Sequence, residues 1–507
     1  MNKVHILKVF TIVFFLVSTV GFAQKSKIAT NNHTNIILIM ADDMGYGEIE
    51  ALNPDRSKIP TPVLNKLAAE GMIFTDAHTS SSVCTPSRYS MLTGRYNWRT
   101  RLQNGVVEGG EEPLIAPDRM TLGSLFQQQG YSTNLVGKWH LEYHYNVPKK
   151  IKNVPLGKLT KARYPANVPV GTLIIDGPVT RGFDTFYGFH HSGSMSSIVR
   201  NNKIVKEMDV IDVLPSLTNE VVSIIDKKAT ESKAGKPFFI YFAQNSPHTP
   251  IAPSKEWQGK TTLGSYGDFV AQTDGSVGSV LEALERNGLS ENTIVIFCAD
   301  NGTSKAANIE KLESQGHFPS AYLRGSKADL WDGGHRVPFI VRWPQQIKPN
   351  STSSQLVCLS DFMATFAEML SVDLPETQAE DSKSFLSTFT GGIPKNPREA
   401  IIHHSFPGRF SIRQGDWKLL LAPGSGGWTA PKDIEATEAG LPEMQLYNIN
   451  EDLSEEDNLL EKYPEKVDSL INLLEKIVSE GRSTPGKKLE NDTQIDIRKT
   501  YMNYKKQ

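Results

Sequence analysis

Cysteine is rare in this chain of 507 residues, which has only Cys84, Cys298 and Cys358. A secreted protein held together by disulfides normally has more cysteines, in even number, so a disulfide scaffold is excluded. A single bridge between Cys298 and Cys358 stays open, and any pairing leaves one thiol over. Cys298 lies in an apolar strand pattern, which predicts a buried core residue.

The chain also has little net charge and, beyond its N-terminus, no long apolar run. Its formal net charge is -2, so no overall field marks it as a nucleic-acid-binding protein. Attraction for an anion therefore has to come from a local cluster. After the N-terminal region no stretch is long and apolar enough to predict a transmembrane helix. The sequence shows no internal repeat.

The N-terminus has the three parts of a secretory signal peptide. Lys3 and Lys8 precede the apolar run 9–20, and the small residue Ala23 stands at its exit. We predict a signal peptide over 1–23 and export, to the periplasm or, as the alternative, to the medium. No cysteine directly follows Ala23, which argues against a lipid anchor. The run is also too short to favour an uncleaved membrane anchor.

Short, continuous apolar runs alternate with amphipathic helical patterns along most of the chain. Continuous apolar strands are typical of a sheet covered on both faces, and the alternation predicts an α/β fold. We expect a large, mostly parallel mixed sheet sandwiched by helices. The strand patterns are 36–40, 131–136, 238–242 and 293–297, and the helical patterns are 62–70, 122–129 and 268–287.

The C-terminal part predicts a smaller α+β domain, an antiparallel sheet plus a helix. We place the main domain at 24–394 and the smaller domain at 395–507. The strand patterns of the smaller domain are 401–404, 410–413 and 417–421, with a turn at 414–416 and helical periodicity over 465–479.

Polar side chains follow four of the predicted strands. Functional residues of parallel sheets tend to lie just past the carboxyl ends of the strands. Four such ends that carry acids, amides, a lysine and histidines predict one assembled site. The segments are Asp42-Asp43, Gly137-Lys138-Trp139-His140, residues 244–248 ending in His248, and Asp300-Asn301-Gly302.

Four of these residues predict a cation site. Asp42 and Asp43 are adjacent carboxylates, and burying both without a counter-charge is unfavourable. Asp300 and Asn301 supply oxygen ligands from another strand end, and an all-oxygen set favours Ca²⁺ or Mg²⁺ over Zn²⁺. Taken alone, the first pair is also explained by a solvated turn or a helix cap, and the second by a hairpin turn.

Cys84 opens the segment 84–88, which reads Cys-Thr-Pro-Ser-Arg, and the segment 92–95 reads Leu-Thr-Gly-Arg. Here the sequence resembles the formylglycine-dependent (type I) sulfatases, arylsulfatase-like members of the alkaline phosphatase superfamily. Their signature is Cys-x-Pro-Ser-Arg followed by Leu-Thr-Gly-Arg, and both halves are present in order. The alternative is a loop with an incidental buried thiol.

The resemblance covers most of the mature chain, and one acid departs from it. Many family members have Glu-Gly-Gly where this chain has Asp332-Gly333-Gly334; we place that acid outside the chemistry. The segments that match the family are Asp42-Asp43, Gly137 to His140, Pro247-His248, Asp300-Asn301-Gly302 and Arg324-Gly325-Ser326-Lys327.

The resemblance also implies cofactors and roles. A maturation enzyme oxidises Cys84 to formylglycine (3-oxoalanine), whose hydrate attacks sulfur with one hydroxyl and expels sulfate as the other loses its proton. The modified Cys84 is also a ligand, and the divalent cation that it shares with the four oxygen ligands is Ca²⁺ by resemblance. The remaining roles are charge around the sulfate for Lys138 and Lys327, stabilisation of the nucleophile for Arg88, a proton acceptor for His140 and a proton donor for His248.

The resemblance implies a sulfuric ester hydrolase that acts on a sulfated carbohydrate, such as an oligosaccharide of ulvan, carrageenan or fucan, or a glycosaminoglycan. His190 and His191 follow a stretch, 181–188, similar to ones in sulfatases that act on sugars. The aromatic residues of this stretch are interpreted as core, and the alternative is that His190 or His191 contacts a sugar. Two other functions stay open. One is a phosphonate or phosphate monoester hydrolase of the same superfamily, and the other is a catalytically inactive carbohydrate-binding relative.

Overall fold

The computed structural model describes residues 33–146 and 169–499. The predicted signal peptide lies outside these residues. Within them, no helix is long and apolar enough to cross a membrane.

The secondary structure alternates strands and helices through most of the described chain. The strands are β1 (Asn35–Asp42), β2 (Met72–Phe74), β3 (Ala77–His78), β4 (Ser132–Lys138), β5 (Thr185–Phe189), β6 (Ser197–Arg200), β7 (Lys203–Glu207), β8 (Phe238–Pro247), β9 (Thr293–Ala299), β10 (Phe339–Arg342), β11 (Ser351–Ser353), β12 (Val357–Cys358), β13 (Ile401–His404), β14 (Phe410–Gln414), β15 (Trp417–Leu420) and β16 (Gln445–Asn448). The α-helices are α1 (Pro62–Ala69), α2 (Cys84–Thr93), α3 (Leu122–Gln128), α4 (Val213–Lys233), α5 (Gly264–Arg286), α6 (Ile309–Ser314), α7 (Asp332–His335), α8 (Phe362–Met369), α9 (Asp433–Glu438) and α10 (Pro464–Glu480).

The main sheet has ten strands in the order β11-β2-β10-β9-β1-β8-β4-β5-β6-β7. The five strands β9, β1, β8, β4 and β5 are parallel, whereas β10, β6 and β7 pair antiparallel with their neighbours. Helices α4 and α5 pack against β8, while α3 packs against β4 and contacts α2 and α8. Every residue of β1, β8 and β9 is buried, as expected for strands covered on both faces. The predicted α/β fold is confirmed.

Strand β8 runs to Pro247, beyond the predicted end at residue 242. The apolar pattern stops there, but the polar residues that follow are buried and form hydrogen bonds to α5. Gln244 Nε2 donates to Ser276 Oγ over 3.1 Å, and Thr273 Oγ1 donates to Ser246 Oγ over 2.7 Å. Hydrogen bonds from buried polar side chains to α5 therefore accompany the strand beyond its apolar pattern.

A separate four-stranded antiparallel sheet, β13-β14-β15-β16, follows in the C-terminal part, and α10 packs against β14. The sequence predicted three of these strands and α10, but not β16 or α9. The core of this sheet includes Tyr96 and Trp98, which follow α2. The boundary at residue 395 stays a prediction.

Three buried histidines lie where the small sheet meets the main domain: His78 of β3, His335 of α7 and His403 of β13. The Nδ1 atoms of His78 and His335 are 3.0 Å apart, and the rings of His335 and His403 stack with centroids separated by 3.5 Å. Burial lowers the pKa of all three imidazoles. They are therefore neutral in the folded protein at neutral pH.

We expect the His403→Asn variant to be less sensitive to acid than the wild-type protein. A histidine whose pKa is lowered by folding binds a proton more readily when unfolded, so stability is lost as pH falls below the unfolded pKa of about 6.5. The His403 Nδ1 atom lies 3.0 Å from the Thr79 carbonyl, and the asparagine amide keeps a donor there. Between pH 7.5 and 5.5, the wild type should lose about 1 kcal/mol more unfolding free energy than the variant in urea titrations. Parallel losses would contradict this.

Candidate active site

Cys84 is the first residue of α2 and is buried, with 3% of its surface exposed. Its Sγ atom lies 3.6 Å from Lys327 Nζ, at a helix N-terminus that favours negative charge. Burial raises the pKa of the Cys84 thiol, although Lys138 and Lys327 act in the opposite direction. An unmodified Cys84 is therefore a protonated and weak nucleophile at neutral pH.

All three cysteines are free and buried, so the bridge between Cys298 and Cys358 that the sequence left open does not form. The prediction that Cys298 is a core residue is confirmed, because it is fully buried in β9.

Asp42 and Asp43 lie at the carboxyl end of β1, next to Asp300 and Asn301 at the end of β9. The strands are neighbours, so the parallel sheet brings the two acidic ends together. Asp43 has a left-handed backbone, with φ of 65°, and its N–H donates to Asp300 Oδ1 over 3.0 Å. The sequence prediction that these strand ends assemble agrees with the geometry.

Three cationic side chains pair with these carboxylates. Lys138 Nζ lies 2.8 and 2.9 Å from the two Asp42 oxygens, and Lys327 Nζ lies 2.5 and 2.6 Å from those of Asp43.

Arg88 donates from Nε and Nη2 to Asp300 Oδ2 over 3.0 and 2.7 Å, and its Nη2 lies 3.3 Å from Asp42 Oδ1. Its Nη1 also donates to the Tyr241 hydroxyl over 3.3 Å, a contact that sequence reasoning missed. Arg88 and Asp300 are fully buried, which is tolerable only because each compensates the other's charge.

The surrounding cations keep the two adjacent aspartates ionised. Burial acts to raise the pKa of Asp42, but the charge of Lys138, together with that of His248 in its protonated form and that of Arg88, outweighs it and lowers that pKa. For Asp43, burial is likewise outweighed, here by the protonated form of His248 and by Lys327, so that its pKa is lowered. Two adjacent, buried and ionised carboxylates form a ready set of hard ligands.

The arrangement fits a divalent cation. Ligand atoms of Asp42, Asp43, Cys84 and His248 lie within 4.8 Å of one another. Asn301 Nδ2 donates to Asp43 Oδ1 over 2.8 Å, whereas its Oδ1 atom is buried and has no hydrogen-bond partner among the described residues. A buried amide oxygen without a donor beside carboxylates is the environment expected of a Ca²⁺ or Mg²⁺ ligand.

His140 has the tautomer that suits a proton acceptor. Its Nε2 atom lies 2.9 Å from the Val107 carbonyl, which can only accept, so Nε2 carries the hydrogen. Its Nδ1 atom is buried and has no hydrogen-bond partner in the described chain. Burial, followed by the charge of Lys138, holds the pKa of His140 well below its usual value, and the ring is a neutral base.

His248 is also neutral, which bears on its predicted role as a donor. Its Nδ1 atom lies 2.6 Å from the Thr249 carbonyl and carries the hydrogen, and its Nε2 atom faces Asp43 Oδ2 at 3.5 Å. Burial lowers the pKa of His248, although Asp43 and Asp42 oppose this. His248 must therefore bind a proton at Nε2 before it can donate one there.

His190 and His191, at the end of β5, form a wall beside His140. The His190 and His191 ring centroids lie 6.2 and 5.9 Å from that of His140. His191 Nε2 is buried without a hydrogen-bond partner among the residues described. Burial lowers the pKa of His191, and the positive charge of Lys138 acts in the same direction, so His191 shares the electrostatic environment of the site.

Two acidic residues, Asp329 and Asp332, lie close to the active-site segments. Asp329 was missed, although it follows Lys327 closely; its carboxylate accepts from the backbone N–H of Ser326 over 2.9 Å and so orders the turn that presents Lys327. Asp332, predicted to lie outside the chemistry, pairs with Lys418 of β15 at 2.6 Å.

The profile of the family described as Sulfatase matches residues 34–372, which is more than half of the chain. This chain belongs to the sulfatase family. A second profile, described as N-sulphoglucosamine sulphohydrolase, C-terminal, matches residues 326–420 of the sulfatase. The family predicted from the two motif halves and the predicted sulfuric ester hydrolase activity are both confirmed.

The relatives of the sulfatase extend over most of its length. An N-acetylgalactosamine-6-O-sulfatase from Bacteroides thetaiotaomicron is 30% identical, over 90% of this chain and 95% of the relative. Arylsulfatase A from Bos taurus is 29% identical, over 88% and 87% of the two chains.

Solved structures resemble the sulfatase closely. One, from work on the metabolism of multiple glycosaminoglycans by Bacteroides thetaiotaomicron, superposes with a TM-score of 0.74 at 27% identity, over 88% of this chain and 99% of the other. Another, Ps i-CgsB in complex with k-i-k-neocarrahexaose, gives a TM-score of 0.70 at 25% identity, over 91% and 95% of the two chains.

Proposed function

We propose that this sulfatase removes sulfate esters from a sulfated carbohydrate and that Cys84, oxidised to formylglycine by a maturation enzyme, supplies the nucleophile. The observation that carries the proposal is the convergence of Lys138, Lys327 and Arg88 on carboxylates around the buried end of α2. Hydrated formylglycine would supply two hydroxyl groups on one carbon, one to attack sulfur and one whose deprotonation lets the aldehyde re-form and sulfate leave. This explains why a buried, protonated thiol occupies the position.

The residues of the chain divide the remaining tasks. Lys138 and Lys327 hold the anionic sulfate oxygens and stabilise the charge that develops on them. Arg88 stabilises the deprotonated nucleophile and keeps Asp300 in place. His140 accepts a proton at Nδ1, its free nitrogen, when sulfate is expelled.

His248 protonates the leaving sugar oxygen after it has bound a proton at Nε2. Asp43, whose Oδ2 lies 3.5 Å from that nitrogen, stabilises the protonated ring. An alkoxide leaves poorly without a proton, so this step contributes to breaking the ester bond.

One divalent cation would be held by Asp42, Asp43, Asp300, Asn301 and the modified Cys84. The resemblance favours Ca²⁺ over Mg²⁺ as this cation. Such a cation supplies Lewis-acid polarisation of the sulfate and of the nucleophile. The buried Asn301 Oδ1 atom without a donor supports its place in the ligand set.

The wall formed by His140, His190 and His191 supports a carbohydrate substrate, because imidazole nitrogens without partners are suited to bind hydroxyl groups. N-acetylgalactosamine 6-sulfate is the first candidate, given the names of the curated relatives. Carrageenan, fucan and ulvan oligosaccharides are the next ones. We also propose that a signal peptide over residues 1–23 directs export of the protein. The smaller domain is proposed to begin at residue 395.

We expect the purified protein to hydrolyse 4-nitrocatechol sulfate with kcat/KM at least about 100-fold above that for 4-nitrophenyl phosphate, a difference of ~3 kcal/mol in transition-state stabilisation. A panel of sulfated oligosaccharides, starting with N-acetylgalactosamine 6-sulfate, should yield at least one substrate by sulfate release. Dominant phosphate turnover would favour a phosphate or phosphonate hydrolase. Sugar binding without turnover would favour an inactive carbohydrate-binding relative.

A further inference from the structure

Glu142 occupies a position where its own backbone and its burial are both unfavourable. Its φ is 68° and 1% of its surface is exposed. A left-handed φ favours glycine, and a buried carboxylate needs compensation for its lost hydration. When such a residue persists, its side chain has a task in the surrounding structure.

The Glu142 carboxylate holds a loop of residues 107–110, here called the Val107 loop. It accepts from the N–H of Gly109 over 2.7 Å and from the N–H of Gly110 over 3.0 Å. Both glycines have positive φ, of 100° and 85°, a conformation that favours glycine.

Glu142 also contacts the histidine wall. Its Oε2 atom lies 3.3 Å from His190 Nε2, without hydrogen-bond alignment, so both ring nitrogens of His190 lack a hydrogen-bond partner within the described residues. The contact restricts where the ring can lie and leaves His190 Nδ1 without a partner among the described residues. Glu142 is not within a motif that carried the sequence prediction.

The Val107 loop connects Glu142 to the reacting groups. The Val107 carbonyl accepts from His140 Nε2 over 2.9 Å, and the Val107 N–H donates to Thr85 Oγ1, beside Cys84, over 3.3 Å. One carboxylate therefore orders both the loop that binds His140 and the adjacent His190.

We infer that Glu142 is a positioning residue for the sugar: by fixing the Val107 loop and His190, it shapes the wall that receives the sugar ring next to the scissile sulfate. This inference rests on the proposed carbohydrate sulfatase function. It assigns to Glu142 an effect on sugar recognition that exceeds its effect on the sulfur chemistry.

The test compares Glu142→Gly with the wild type. Glycine suits the backbone at this position, so the change removes the carboxylate without adding backbone strain. Its kcat/KM for the panel sugar that the wild type hydrolyses fastest should fall by about 10- to 100-fold, mainly through a higher KM, as expected when binding is lost. The loss on the sugar should exceed the loss on 4-nitrocatechol sulfate at least about tenfold.

Two further measurements make the result specific. In a Cys84→Ala background, Glu142→Gly should weaken binding of the same sugar in calorimetry by a similar factor. Glu112→Gln is the matched control, because Glu112 lies in the same stretch but its side chain is 82% exposed; its ratio of sugar to aryl sulfate turnover should equal that of the wild type.

The possible outcomes distinguish a failure of the Glu142 inference from a failure of the proposed carbohydrate sulfatase function. If the wild type hydrolyses both substrates but Glu142→Gly lowers the two equally, or lowers neither, Glu142 does not position the sugar. Where Glu142→Gly melts at a much lower temperature than the wild type, its sugar affinity is measured at a low temperature, at which the variant is folded. If that affinity equals the wild-type affinity, the inference fails. A wild type that hydrolyses no sugar sulfate overturns the carbohydrate proposal and this inference with it.

Discussion

Replacing Cys84 by alanine is expected to lower kcat for 4-nitrocatechol sulfate by at least about 10⁴-fold, because a covalent route loses its nucleophile. The fold should persist, since Cys84 fills a small space at the start of α2 and makes no disulfide. Steady-state assays on protein made with the maturation enzyme, together with thermal melting, measure the two effects separately.

Cys298→Ala is the matched control, because Cys298 is also buried and free but lies in the core of β9. It should lose about 1–2 kcal/mol of stability from the cavity that it creates and keep kcat within about threefold. If the Cys298→Ala variant is folded but inactive, loss of a buried cysteine anywhere in the core abolishes activity. The effect of Cys84→Ala would then not identify Cys84 as the nucleophile.

Mass spectrometry of the peptide that contains Cys84 tests the modification directly. Conversion to formylglycine lowers the peptide mass by about 18 Da, because the side chain loses sulfur and two hydrogens and gains one oxygen. Full activity in protein whose Cys84 is an unmodified thiol would refute the proposed nucleophile.

Replacing Arg88 by methionine is expected to lower the free energy of unfolding by about 3–5 kcal/mol, since it leaves Asp300 charged, buried and without its partner. Activity should fall at least about 100-fold, because the variant also loses stabilisation of the nucleophile. The paired atoms are close, at 2.7 and 3.0 Å, and both side chains are fully buried. Urea unfolding and kcat report the two losses.

The double variant Arg88→Met/Asp300→Asn distinguishes stability from catalysis. Removing both charges removes the uncompensated carboxylate, so most of the lost stability should return, while activity should stay low. The asparagine keeps an oxygen that can accept from the Asp43 N–H, which donates to Asp300 Oδ1 over 3.0 Å in the wild type. If the double variant is as unstable as Arg88→Met, the ion pair is not the source of the loss; if it is active, Arg88 has no catalytic role.

The sequence predicts the structure best where motif chemistry and apolar periodicity coincide. The continuous apolar patterns of β1 and β9 predicted buried parallel strands, and the polar residues that follow them meet because parallel strands end at the same edge of the sheet. Local turns and strands with little apolar signal were harder, and β16 was missed. The four residues of β16 include few apolar side chains, and they form a strand because they pair with β15. A local sequence pattern cannot show this pairing.

Glu142 and Tyr241 could not be identified from the sequence, because their side chains contact residues that are distant in the chain. Glu142 and Gly109 are 33 residues apart, and Tyr241 meets Arg88 across 153 residues. Residues so far apart in the chain do not belong to one helix or strand, so no helical or strand periodicity in the sequence reveals their contact. Their roles follow from close approach inside a packed interior, where unpaired charges and polar groups are unfavourable.

The family and the α/β architecture are determined by the sequence itself, as is the choice of Cys84 as the proposed reacting residue, because motif order and apolar periodicity are local properties. Folding sets which carboxylate each cation neutralises, which nitrogen of His140 and His248 carries hydrogen, and how Glu142 orders the Val107 loop. These features depend on distances of about 3 Å between groups that are distant in sequence, and hydrogen bonds weaken steeply beyond that range. Cys84 is recognisable from five neighbouring letters, whereas its environment exists only in the packed protein.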